Sequence, residues 1–173
     1  AGRDGVFTEQ VPGGPVLQGR PSRYGLPCME FHPDMDLKTV YASNPRGYFD
    51  SENAVVKHIN SRGLHGPEFT PEKPEGTYRI IGLGDSFAYG EGVREEDTFL
   101  RQMENTLDAG GAAPRCEVIN AGVPGYNVMH EAIYLEDQWL AFSPDLVLVV
   151  IYLNDAYDNG LISFSGNNMG LYR

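Results

Sequence analysis

Apolar and polar positions change rhythm near residue 77. Before it, apolar residues are scattered among helix breakers: nine of the 12 prolines and ten of the 21 glycines precede residue 77. Such a density of residues that remove backbone donors or resist a fixed conformation favours extended segments and turns over long helices. Within this stretch, Thr39 to Ser43 and Ala54 to Asn60 have β-like composition and flank Asn44-Pro45-Arg46-Gly47, a turn signal, so a small hairpin or a strap over the main domain is expected. Pro67 to Gly76 (PEFTPEKPEG) has linker composition and is expected to deliver the chain to the core. Residues 1–76 therefore read as an irregular extension ahead of a domain spanning 77–173.

From Thr77 onward, short apolar runs alternate with spaced apolar stripes. Tyr78 to Leu83 is a strand-like run ending in Gly84-Asp85-Ser86. Thr98 is placed to cap a helix in which Phe99, Met103 and Leu107 recur at i, i+4 and i+8. Cys116 to Ile119 predicts a second strand, and Asn127 to Phe142 a helix with apolar positions Met129, Ile133, Trp139 and Leu140. Asp145 to Leu153 supplies a third strand that is almost wholly apolar. A βαβαβ order with buried strands implies an α/β domain with a parallel sheet between helices, three layers deep.

Charge and cysteine usage narrow the partners. Thirteen basic against 24 acidic side chains give a formal charge of −11, which repels phosphate backbones and anionic membrane surfaces, so no nucleic-acid partner is expected. No apolar run approaches the ~20 residues that span a bilayer. Cys28 and Cys116 are the two cysteines; they are too few for a disulfide scaffold, lack metal-ligand spacing, and are readable either as one bridge or as two free thiols. No metal or other cofactor is expected.

In parallel sheets the loops at the carboxyl ends of the strands converge on one rim, where ligands bind. Three polar turns land there: Gly84-Asp85-Ser86, Asn120-Ala121-Gly122-Val123-Pro124-Gly125, and Asn154-Asp155. Acyl transfer needs a nucleophile, a base and donors aimed at the oxyanion. Ser86 offers a hydroxyl and its own N–H, Gly125 an N–H unobstructed by a Cβ, and Asn154 a side-chain amide. Asp85 and Asp155 suit loop bracing through backbone N–H groups, Gly122 supports the second turn, and Tyr126 and Tyr152, with Tyr89 and Tyr157 also near the motif loops, are candidate walls of a sugar or acyl pocket. His32, His58 and His65 precede the domain and take packing or surface roles by default. His130 is a weak candidate for a base, since nothing marks an acidic partner for it.

Gly84-Asp85-Ser86-Phe87, Asn120-x-Gly122-x-x-Gly125 and Asn154-Asp155, in this order and spacing, resemble the first three blocks of the SGNH (GDSL-type) serine hydrolases. The resemblance spans residues 78–155 and extends more weakly to Asn60-Ser61-Arg62-Gly63-Leu64, which is similar to the lead-in of exported or membrane-anchored members. It implies a flavodoxin-like sheet, Ser86 as nucleophile, and an oxyanion hole of Ser86 N–H, Gly125 N–H and the Asn154 side chain. It also implies hydrolysis of carboxylic esters, O-acylated carbohydrates or other small esters, through an acyl-serine, without a cofactor. An exported location, periplasmic or extracellular, is expected from it.

Two positions depart from the family pattern. Tyr152 stands where the third block carries a Gly, and no Asp is followed three residues later by His, so the Asp-x-x-His block is absent. The expectation is that this block lies in a downstream segment of the same protein or in another chain. The alternatives are an O-acetyltransferase using the same serine and a catalytically degenerate member acting as a glycan-binding or assembly module. A nucleotide-binding doubly wound domain is disfavoured, because no phosphate-binding glycine fingerprint follows the first strand.

Overall fold

The computed structural model describes residues 6–10, 17–20, 22, 24, 28–111, 114–152, 162–165 and 168–171. The extension is β-rich rather than irregular. Strands β1 (Val6–Gln10), β4 (Met35–Tyr41) and β5 (Ala54–Ile59) form an antiparallel sheet, and β2 (Leu17–Arg20) pairs with β3 (Cys28–Phe31). The expected hairpin is β4–β5, its first strand displaced toward the N-terminus. Asn44 closes the connecting turn, accepting Gly47 N–H on its carbonyl and bonding Phe49 through its side chain.

Three strands then build the parallel sheet: β6 (Thr77–Gly84), β7 (Arg115–Gly122) and β8 (Leu146–Val150), in the order β7-β6-β8. Ile81 stands opposite Ile119 on one side and Val147 on the other. Side chains alternate across this sheet. Ile80 and Val118 pack with Leu100 on one face, while Ile81, Leu83, Ile119 and Ala121 pack with Ile133, Tyr134 and Trp139 on the other. Helices α2 (Phe99–Ala109) and α3 (Val128–Asp137) thus cover opposite faces, and α1 (Ser86–Tyr89) is a single turn at the end of β6. A short antiparallel pair, β9 (Ile162–Ser165) with β10 (Asn168–Leu171), follows. The result is an α/β fold with a three-stranded parallel sheet, compatible with a flavodoxin-like order in which the first strand lies between the second and third.

Three expected features differ in detail. On α2, Leu100 is buried while Phe99 and Leu107 are exposed, because Leu100 fills the space above Gly82, where a Cβ would come within 2.7 Å of its methyl group. The helix expected over Asn127 to Phe142 stops at Asp137 and resumes as a 3₁₀ turn, Trp139–Phe142. At ~100° per residue a continuous helix turns Trp139 about 140° away from Tyr134. The break brings the two rings together at 5.2 Å, edge to face, with Trp139 buried, while Met129 and Leu140 stay outside the core. Strand β8 is partly exposed, with Leu146 and Val149 open to solvent, because it lies at an edge of the sheet. No described helix is long and apolar enough to cross a membrane.

Candidate functional site

Strand β6 is central, and the chain leaves its carboxyl end directly into α1. Asp85 caps that turn, accepting Phe87 N–H at 2.9 Å, and is fully buried. Ser86 is the first residue of the turn and is partly exposed. Its N–H belongs to the set that an α-helix leaves without an internal acceptor. Ser86 lines a groove of about 450 Å³ with Phe87, Val93 and Phe99 as its apolar surface and Glu91 and Asp97 at its margin. Tyr152 stacks on Phe87 at 4.2 Å, so the residue that replaces the expected glycine forms an aromatic shelf beside Ser86.

Glycine lets α1 sit close to the sheet. A Cβ on Gly122 would lie 2.3 Å from Tyr89 N, and one on Gly84 2.6 Å from the Ala88 methyl. Asn120 ties the second turn to the first: its side chain donates to Ala88 O at 2.9 Å and accepts Gly122 N–H at 3.0 Å, while Val123 N–H reaches Gly84 O at 3.0 Å. Val123-Pro124-Gly125-Tyr126 then forms a tight turn closed by Tyr126 N–H to Val123 O at 3.1 Å. Proline at its second position and Gly125 at φ +84° suit a type II geometry, and Gly125 is exposed at the tip.

The structure brings Ser86, Asp85, Gly122 and the Phe87–Tyr152 pair to one rim of the sheet. Tyr126 does not join them as a pocket wall: it is buried, and its hydroxyl donates to Met29 O at 2.6 Å, because its ring fills the core between α3 and β3. Asn154 and Asp155 lie outside the described residues, as does Tyr157. His130 stacks on Tyr126 at 5.3 Å, and among the described residues no histidine hydrogen-bonds to the Ser86 hydroxyl. Cys28 and Cys116 are both free. No cluster of metal-ligating side chains occurs among the described residues.

Two residues of the extension that motif reading passed over reach this site from behind. Lys57 is fully buried, donates to Gly90 O at 2.8 Å, lies 4.0 Å from the centre of the Tyr89 ring and 3.9 Å from Glu91 Oε2. Burial lowers its ammonium to about 8 against the opposing pull of Glu91. His65, equally buried, meets Tyr89 O with Nδ1 at 2.9 Å. A carbonyl only accepts, so Nδ1 carries the proton. Burial holds this imidazole down to about 4. The β4–β5 hairpin also grips the groove margin, through Tyr41 to Glu91 at 3.0 Å and Tyr48 to Asp97 at 2.5 Å. The signal for these contacts was weak in sequence: a lysine and a histidine in segments otherwise read as strand and loop.

Comparison of the chain with protein-family models, with curated proteins and with solved structures finds no match.

Proposed function

We propose that this chain carries the nucleophile and oxyanion donors of an SGNH-type serine esterase. The observation that carries the reading is the position of Ser86, partly exposed at the first turn after the central strand, where β6 lies between β7 and β8. Loops after the first and third strands of such a sheet part at this point and leave a crevice for a ligand. The order and spacing of the three motif turns support the same reading.

In the proposed reaction Ser86 Oγ attacks the ester carbonyl carbon. The oxyanion is met by Ser86 N–H, Gly125 N–H and the Asn154 amide, donors of a kind worth roughly 10²–10³ in turnover each. A histidine takes the serine proton and passes it to the leaving alcohol as the C–O bond breaks. Water, activated by the same base, then releases the acid and regenerates Ser86. The family resemblance would take the base from an Asp-x-x-His block, a pattern that residues 1–173 do not contain. The apolar groove beside Ser86, with carboxylates at its margin, favours a neutral acyl group over an anionic one, and O-acylated carbohydrates or other small esters are the proposed substrates.

The Phe87–Tyr152 stack, an aromatic surface on which a sugar ring can lie, gives one specific reason for a second reading, a degenerate scaffold that binds glycans. Hydrolysis of p-nitrophenyl acetate by the full gene product decides between them. The esterase reading expects Ser86→Ala to reduce kcat/KM by ~10³-fold or more. An unchanged rate in that variant, with no Asp-x-x-His in the mapped gene product, removes the esterase reading in favour of binding.

A further inference from the structure

A four-residue helix cannot hold itself, since one turn fixes several dihedrals for very few hydrogen bonds. The turn that bears Ser86 must be held from outside. Its N-terminal side is held by Asp85, and the absence of a Cβ on Gly84 and Gly122 lets Ala88 and Tyr89 lie close against the sheet. At its C-terminal side three consecutive carbonyls each meet a different side chain: Ala88 O accepts from Asn120, Tyr89 O from His65, and Gly90 O from Lys57. Two of these three donors come from the extension. The Tyr89 ring is inserted into the extension's own core, in a cluster with Phe31, Leu37 and Ile59, stacked on Phe31 at 5.0 Å and lying under the Lys57 ammonium at 4.0 Å.

These contacts are costly ones to build. Lys57 Nζ and His65 are buried, and His65 Nε2 has no hydrogen-bond partner among the described residues. Apolar residues in both places would avoid that desolvation. What apolar residues lack is a directed donor, and both donors are aimed at the end of the one turn that carries Ser86.

We infer that Lys57 and His65 are positioning residues for Ser86, so that the extension is part of the catalytic apparatus rather than a lead-in to it. The inference rests on the reading of Ser86 as nucleophile. Neither Lys57 nor His65 lines the groove at Ser86; they fix where α1 ends and hence where its first residue points. A displacement of the nucleophile by about 1 Å costs on the order of 10²-fold in rate, so loss of either donor is expected to act on turnover rather than on substrate binding.

The experiment compares Lys57→Met, His65→Leu and His65→Asn with the wild type in the full gene product, by ester hydrolysis, thermal melting and amide hydrogen exchange of the segment 86–91. Asn places a side-chain N–H close to where Nδ1 of the imidazole lies. Lys57→Met and His65→Leu are expected to lower kcat about 10- to 100-fold with KM within about 2-fold, and His65→Asn to keep kcat within about 3-fold of the wild type. Exchange across 86–91 is expected to quicken about 10-fold or more in the first two variants, with α2 unchanged. Equal kcat loss in His65→Leu and His65→Asn, or wild-type kcat in Lys57→Met and His65→Leu, overturns the inference. Unchanged exchange overturns it as well, whatever the activity. If Ser86→Ala retains full activity while exchange responds as expected, the esterase reading fails and the brace itself stands as a structural one.

Discussion

At the scale of single residues, the molecule places polar groups where burial is tolerated only with a partner. His65 shows this on one side of its ring, where the Nδ1 proton is committed to Tyr89 O, and the ring is held neutral. Burial lowers its pKa from 6.5 to about 4; Lys57 adds to that, while the Tyr89 carbonyl, Glu91 and Glu96 oppose it. As pH falls below about 6.5 the unfolded chain takes up a proton that the folded one refuses until about 4, so stability is lost across that window. Chemical denaturation at pH 7 and pH 4.5 is therefore expected to show the wild type losing about 2–3 kcal/mol more than His65→Asn, which has no titrating ring. Equal losses in the two proteins remove the neutral-imidazole assignment. The position of Ser86 after a strand and before a turn was legible from the apolar run Tyr78 to Leu83 ending in Gly84-Asp85-Ser86. The partner of His65 was not, since Tyr89 is 24 residues away and nothing local marks it.

At the scale of elements, β7 shows how an exposed edge is protected. It is the outer strand of the parallel sheet, and alternate N–H groups point away from β6. Cys116 N–H is accepted by Asp108 at 2.7 Å, Val118 N–H by Glu104 at 3.0 Å, and Gly122 N–H by Asn120 at 3.0 Å. Carboxylates and an amide thus occupy sites where another strand would otherwise pair. Glu104 is buried on α2, where burial raises its pKa against the favourable pull of Val118 N–H and Arg101, the latter 2.7 Å away. Glu104→Ala is expected to cost about 1–3 kcal/mol through the orphaned N–H and to promote self-association along the bared edge. Denaturant titration and light scattering check the two effects separately. The helical period of α2 was visible in the sequence, but of the stripe Phe99, Met103, Leu107 only Met103 packs against the core, while Phe99 and Leu107 are exposed. The buried face runs through Leu100 and Glu104, because the cavity over Gly82 and the open N–H of Val118 both lie across the sheet.

At the scale of the whole molecule, extension and sheet are one packed unit. Arg79, fully buried on β6, donates to Glu117 at 2.5 Å, to Thr70 O and Pro71 O, and to Phe142 O. Lys73 pairs with Asp145 at 2.6 Å, and Asp145 in turn accepts Arg79 N–H at 2.8 Å, which holds the start of β8 beside β6. The segment with linker composition is therefore fastened to the domain by a buried guanidinium. Arg79→Met leaves the partly exposed Glu117 without its partner and three carbonyls without a donor, at an expected cost of about 1–3 kcal/mol. That variant is expected to be cleaved by a glutamyl endopeptidase after Glu72 or Glu75 faster than the wild type, which is expected to resist. Resistance in both proteins rules out the tether.

The α/β class, the three parallel strands, the Thr98 cap, the bracing by Asp85 and the meeting of the first two motif turns at one rim were all legible along the chain. Each of these follows from local period or from a residue type whose role is set within a few positions of the chain. That the extension folds as sheets, that Tyr126 belongs to the core and Tyr152 to the rim, and that Lys57 and His65 hold the end of α1 emerged in the folded molecule alone. Those outcomes depend on contacts between segments tens of residues apart, where a buried donor is acceptable only if a distant carbonyl arrives to meet it. Neither periodicity nor composition records which carbonyl that is.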